Sequence, residues 1–547
     1  MTTELLMPAG SLEKLKVAIL YGADAVYMGT PDLSLRTRSN FTLQDVVEGV
    51  AFAHAHGKRA YLTLNLFAHN HDVEKLPDYV ETIRKVAPDG VIVADPGVFQ
   101  FVRKNAPDLE IHISTQANVC SAAAVTFWQE MGASLVVLAR EVSFAELKEI
   151  RAACPDVKLE AFVHGAMCMT YSGRCLLSNY LAERGANQGN CANSCRWHYK
   201  VRMRLKDGTL KELELNEQTR ELFDFFLVEE QRPDEFLEIE ENERGSYILN
   251  SKDLCLMPRL DEILAIGIDS LKVEGRNRSA YYAAVTARAY RMAIDAWRRD
   301  PEGWRPDDYM RGLLTLPTRG YSLAFHEGRL SHHAHNYEDT HTLSAWDYAG
   351  IVVEVTDDAF ILDIKNRLSQ GDVLEFIPPD AGEPLLLRIY EFEDIAHRRT
   401  THEEGIHAGQ KPRLRIPFSW FHEEDAEVIK KRFPPYTIVR KERALSEDEV
   451  ARLKLDKVAS QVEVGRANEE EYQTKRDALV EALQETNSGK TFRSPRLGVE
   501  GCCGRGCNGC QHFWHDERFA KARDLLRTKK QGVLLSGEEA KMPEKGL

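Results

Sequence analysis

What this sequence has little of narrows its class before any motif does. No run of about 18 consecutive apolar residues occurs, so no segment reads as a membrane-crossing helix. The opening MTTELLMPAG places no basic stretch ahead of an apolar core, so a cytoplasmic chain with no membrane partner is expected. Cysteine is sparse, 11 in 547 residues, which excludes a disulfide scaffold. Eight of the 11 fall into two tight groups, and that favours metal ligation in a reducing compartment. Basic residues are outnumbered, 71 Lys+Arg against 85 Asp+Glu for a net charge of −14, which excludes a strongly basic nucleic-acid binder but not a local basic face. The protease signatures H-E-x-x-H and G-x-S-x-G are both missing. His402-Glu403 is followed by a histidine at 407, one residue too late for a shared metal on a helix face. No repeat of solenoid period is present.

What is present is an alternation. Eight short apolar, β-branched runs recur: Leu5–Pro8, Asp24–Met28, Arg59–Leu66, Gly90–Asp95, Glu110–Gln116, Ser134–Ala139, Lys158–His164 and Ser270–Glu274. Between them lie stretches such as Leu12–Tyr21 and Thr42–His56 with apolar residues at i, i+3, i+4 and i+7, the period of a helix packed on a sheet. Eight β-α units predict an α/β fold, a (β/α)8 TIM-like barrel over residues 1–335, with a doubly wound sheet as the alternative. The gap before the last strand exceeds any ordinary βα connection, so about 165–247 is read as a cysteine-rich insertion. Residues 336–445 switch to period-2 runs, Tyr348–Val355, Ala359–Ile364, Asp372–Phe376 and Pro384–Phe392, predicting a small all-β barrel domain. A helical linker over 446–490 and a cysteine-rich tail over 491–547 complete the reading.

The first cysteine group places Cys168, Cys175, Cys191 and Cys195 within 28 residues, directly after a barrel strand. Thiolates bind iron–sulfur clusters or zinc, and the glycines and asparagines between them let the chain bend towards one centre. The spacing lacks the paired C-x2-C knuckles that structural zinc favours, and barrel active sites lie at the carboxyl ends of strands. Cys255, in NSKDLC, is a further candidate ligand, although its neighbours look charged and helical. The second group packs Cys502, Cys503, Cys507 and Cys510 into nine positions, a second candidate metal site. Cys503, Cys507 and Cys510 match the three-thiolate loop of radical S-adenosylmethionine enzymes in spacing but not in position, since such a loop should follow the first barrel strand. The tail resembles a cysteine-rich oxidoreductase-like module. A second iron–sulfur cluster, a zinc staple and a redox-labile thiol patch all remain open for it.

The stretch from Glu160 to Ser178, with its G-A-x-C and SGRC segments, resembles the signature of peptidase family U32. MPAGSLEKLKVAILYGADAVYMG, LRTRSNF, ADPG, STQAN, NQGNCANSCRW, NSKDL and SLKVEGRNRS extend the likeness over roughly residues 3–440. They are most similar to the bacterial branch that forms 5-hydroxyuridine at the tRNA wobble position. The resemblance implies an oxygen-independent hydroxylase acting on tRNA, with prephenate as co-substrate and a 4Fe–4S cluster on cysteines of the first group. Other branches hydroxylate ribosomal RNA cytidine or ubiquinone precursors, and a zinc-stapled RNA-binding protein without catalysis is the alternative of another class.

In a barrel, polar residues at strand carboxyl ends face the active site, which singles out Asn65, Asp95, Gln116, Arg140 with Glu141, His164, and Glu274 with Arg276. His164, Asn65, Gln116 and Glu274 are the candidate catalytic residues, His164 as a proton carrier. A dicarboxylate such as prephenate calls for guanidinium forks, and Arg36, Arg38, Arg140 and Arg276 are the candidates. After Cys195, RWHYKVRMRLK alternates basic and apolar residues, which on a strand gives a basic ribbon. Arg196, Lys200, Arg202 and Arg204 are read as phosphate contacts on RNA. Arg319 and Tyr321 in TRGYS are read as aids to RNA docking at the barrel mouth.

Overall fold

The structure is a computed structural model that describes residues 3–29, 41–65, 67–168, 170–172, 174–175, 177–182, 191, 194–196, short strands between 202 and 247, 251–328, 344–400, 405–410, 413–421, 425–447 and isolated positions up to 474. Eight parallel strands close on themselves. They are β1 (Glu4–Ala9), β2 (Ala25–Met28), β3 (Arg59–Leu64), β4 (Gly90–Val93), β5 (Glu110–Ile113), β6 (Leu135–Val137), β7 (Lys158–Gly165) and, after β8 (Asp253–Cys255), β9 (Ser270–Val273). β9 pairs with both β1 and β7, which shuts the barrel. All eight barrel strands coincide with the apolar runs of the sequence. Helices start where the sequence supplies caps: Ser11 accepts from Lys14 N–H, and Thr42 with Asp45 and Ser143 with Glu146 form capping boxes.

Alternation along the strands sends Val26, Leu62 and Val91 into the layer between sheet and helices, while Leu6, Ala25, Tyr27, Tyr61 and Ile92 form a separate cluster inside the barrel. The interior also holds a buried ion pair. Lys272 Nζ lies 2.6 Å from Glu160 Oε1, with both side chains buried. Glu160 also accepts from Ser270 Oγ at 2.8 Å, and Glu4 accepts from Tyr61 OH at 2.9 Å. An ion pair stripped of water this completely holds only because further hydrogen bonds satisfy its atoms.

The expectation for NSKDLC requires correction, since Asp253–Cys255 is a strand rather than helical chain. β8 runs antiparallel to the end of β7 (Leu254 opposite Gly165, Cys255 opposite His164) and parallel to Tyr321–Ser322. Asp253 is buried and ion-paired with Arg319 and, at 2.7 Å, with Arg278, so its charge anchors the strand rather than exposing it.

Beyond the barrel, eight antiparallel strands form a sheet curled into a half-barrel, in the order Leu385–Arg388, Val373–Ile377, Ile438–Glu442, Trp346–Val355, Ala359–Ile364, Arg413–Pro417, Phe392–Asp394, Arg399–Thr400. The run Pro384–Phe392, expected as one strand, is two: Ile389 bonds back to Gly371 and Asp372, and the chain leaves one edge of the sheet to rejoin it near the other. This sheet docks on the outer helices of the barrel. Tyr21 OH donates to Ile377 O at 2.7 Å and accepts from Ile438 N–H at 2.8 Å, while Tyr281 stacks on Tyr348.

Within the predicted insertion, three short antiparallel pairs are described by backbone alone: Arg202–Arg204 with Leu210–Glu212, Phe226–Glu229 with Arg232–Glu238, and Glu240–Asn242 with Gly245–Tyr247. Arg202 and Arg204 therefore do sit on a strand. Lys200, the side chain of Arg196, Arg36, Arg38 and the tail cysteines Cys502, Cys503, Cys507 and Cys510 lie outside the described residues. Among the described residues no helix is long and apolar enough to cross a membrane.

Candidate active site at the carboxyl ends of the barrel strands

The carboxyl ends of β3, β5, β6, β7 and β9 bring several of the expected residues to one mouth. Asn65, one residue beyond β3, donates from Nδ2 to Ser114 Oγ at 3.0 Å, beyond β5. Gln116 is buried in the short turn Thr115–Ala117 that follows. Arg140, after β6, lays its guanidinium on the Phe162 ring with Cζ 3.7 Å from the centroid, and donates to Ser172 Oγ. Such stacking fixes a guanidinium while leaving its outer edge for a ligand. Arg276, after β9, stands 5.9 Å from the centroid of Tyr27, and burial lowers the affinity of its guanidinium for a proton. Neither Arg140 nor Arg276 is ion-paired with a carboxylate among the described residues, unlike Arg278 and Arg319 next to them in the fold. Glu274 Oε2 accepts from Ala166 N–H at 3.3 Å.

Glycines permit this crowding. A Cβ on Gly165, whose φ is +117°, would stand 2.4 Å from Glu274 O, and one on Gly10 would stand 1.9 Å from Arg276 O. The backbone carrying Glu274 and Arg276 thus passes against β1 and β7 at distances no other residue allows.

Other expected residues have different places. Strand alternation from Phe162 would turn His164 into the lumen, but the register with β9 steps from Lys272–Phe162 to Val273–His164, a bulge at Val163. His164 consequently joins the outward set and packs among Tyr282, Tyr290 and Tyr321. Burial pushes its pKa down to about 3, so it stands neutral behind the wall instead of carrying a proton in the lumen. Asp95 caps a helix by accepting from Gly97 and Val98 N–H. Arg319 and Tyr321, expected at an RNA-docking surface, are both buried: Arg319 is held by Asp253, and Tyr321 OH donates to Leu313 O. Lys272, Tyr27 and Phe162 were not among the expected site residues. The one usable signal for them in the sequence is period 2 along Ser270, Lys272 and Glu274, which places Lys272 on the lumenal face.

The first cysteine group lies on the chain leaving β7. Cys168 is exposed, and Cys175, Cys191 and Cys195 are half-buried. In donor chemistry, four cysteines following a barrel strand fit an iron–sulfur cluster. Among the described residues, no group of three or more His, Cys, Asp or Glu side chains is gathered as a metal ion would require. Cys255 is buried away from solvent, 3.9 Å from Tyr290 OH and 3.9 Å from Met310 Sδ, and burial pushes its thiol up to about 12.

Comparison with known proteins finds relatives of the chain. The family model of peptidase family U32 matches residues 10–336. The tRNA hydroxylation protein P of Escherichia coli is 40% identical over 405 residues, 69% of this chain and 87% of that protein. The tRNA hydroxylation protein P1 of Bacillus subtilis is 36% identical over 381 residues, 69% of this chain and 84% of that protein. A collagenase of Porphyromonas gingivalis is 30% identical over 433 residues, 76% of this chain and 94% of that protein.

Proposed function

The chain belongs to peptidase family U32, and from that membership we propose that it is a tRNA-modifying enzyme, converting wobble uridine to 5-hydroxyuridine without oxygen and with prephenate as the hydroxyl donor. The observation that carries the reading is the pair of guanidinium groups, Arg140 and Arg276, unpaired with any carboxylate among the described residues and set at the barrel mouth beside the cysteine segment. Two such forks suit a dicarboxylate, which each recognises by geometry as well as charge. Asn65 and Gln116 form a polar wall on the opposite loops that would orient the bound molecules by hydrogen bonds. Glu274, held by Ala166 N–H, is the carboxylate at the mouth that would take up a proton from a bound molecule.

Cys168, Cys175, Cys191 and Cys195 would hold a 4Fe–4S cluster, which when bound supplies a redox-active iron centre at the mouth. The tail cysteines Cys502, Cys503, Cys507 and Cys510 would form a second, separate metal site. Proteolysis has less support: the sequence carries neither protease signature sought, and His164 is neutral and walled off. The test is nucleoside mass spectrometry of bulk tRNA and ribosomal RNA from cells with and without the protein, grown without oxygen. Loss of 5-hydroxyuridine from tRNA alone is the expected result. Unchanged tRNA with a lost ribosomal modification, or no change in either, would overturn the reading.

A further inference from the structure

Loops leaving three alternate strands, β3, β5 and β7, meet at one side of the barrel mouth. Phe67, beyond β3, and Tyr171, beyond β7, are 36% and 50% exposed, and both are large aromatic side chains. Arg174 links the loops. Its Cζ lies 5.2 Å from the centroid of the Phe67 ring, its Nε donates to Asn118 Oδ1 in the loop after β5, and its backbone N–H donates to Tyr171 O at 3.0 Å. Ser172, next to Tyr171, is the residue that accepts from Arg140. The turn carrying the exposed ring therefore also touches the guanidinium inside the mouth, and Cys175 follows directly on Arg174.

A ring beneath a guanidinium at an entrance, with a second exposed ring on the same turn, is chemistry that holds an unpaired nucleobase by its face, because every base has a π-surface and RNA is read mainly where bases are splayed from the helix. A peptide or dicarboxylate would need polar groups in an extended row or paired cations, and the rim offers one cation already leaning on a ring. We infer that Phe67, Arg174 and Tyr171 form a stacking platform that captures an unpaired base of an RNA loop and directs it towards Arg140. This rests on the proposed action on tRNA and adds the means by which the base is held.

The test uses the full-length protein and two synthetic RNAs, an anticodon stem–loop and the same stem–loop with an abasic wobble position, in equilibrium binding read by fluorescence anisotropy. Wild type is expected to bind the intact loop about 5- to 150-fold more tightly than the abasic one, the range for stacking on one aromatic. Phe67→Ala and Tyr171→Ala are expected to shrink that preference severalfold and Phe67→Tyr to keep it. Both positions are exposed, so thermal midpoints should stay at the wild-type value. A wild type without the preference, or alanine variants that retain it in full, would overturn the platform. Measuring 5-hydroxyuridine alongside separates the two ideas: hydroxylation without base preference sinks the platform alone, whereas a preference lost in the variants without any hydroxylation supports the platform and sinks the hydroxylase reading.

Discussion

Inside the barrel, burial pushes the Glu4 carboxyl up to about 7, the nearby Glu160 adding to the rise and bonds from Tyr61 and Ser270 opposing it. In the unfolded chain the same group titrates at 4.5, so the folded state holds this proton more tightly. Stability from this source is complete below the unfolded value and is lost as pH rises through the folded one. The change is about 3 kcal/mol, because each tenfold gain in proton affinity on folding is worth ~1.4 kcal/mol. Glu4→Gln should remove that dependence: its urea midpoint is expected to exceed that of wild type increasingly between about pH 5 and about pH 8. Parallel pH profiles for the two proteins would refute the assignment. At this same scale the sequence was least legible. Residue type at a strand end singled out Arg140 and Arg276, which follow β6 and β9, yet the same rule placed His164 at the mouth too, and only the pairing of β7 with a strand more than a hundred residues away turns it outward.

Elements were the legible level, because apolar runs and 3.6-residue periods are local properties, the runs marking all eight barrel strands and the periods the helices between them. Asp253–Cys255 escaped because three residues carry no period and their polar letters are explained only by Arg278 and Arg319, distant in sequence. How the elements abut was equally invisible. The glycine of the PAGS turn after β1 looks like any turn glycine, but its Cβ position is filled by Arg276 O. Gly10→Ala should therefore push the β9 loop and displace the Arg276 guanidinium. On the proposed reading, with prephenate and tRNA as the two substrates, the expected outcome is a KM for prephenate raised roughly tenfold or more, as for loss of one charge-assisted bond, with the KM for tRNA little changed. Steady-state kinetics with each substrate varied in turn would check it, and an unchanged prephenate KM would count against the placement of Arg276.

For the molecule as a whole, the change from helical to period-2 patterning near residue 340 announced a second sheet, but nothing local announced where it would dock. Tyr21 shows why: its hydroxyl serves Ile377 O and Ile438 N–H, partners more than 350 positions away. Tyr21→Phe leaves both buried groups without that partner and should cost about 1–3 kcal/mol. Calorimetry is expected to show a lowered midpoint, and a variant as stable as wild type would mean that this hydroxyl adds nothing net to the docking of the sheet. Closure of the barrel has a consequence in time. β1 finds its second neighbour only in β9, and 266 residues separate Glu4 from Ser270. At ~5–20 residues per second a ribosome takes about 13–53 s to make that stretch. Throughout that interval the earliest strand of the nascent chain has one unsatisfied edge, the kind of edge on which strands of separate chains can pair.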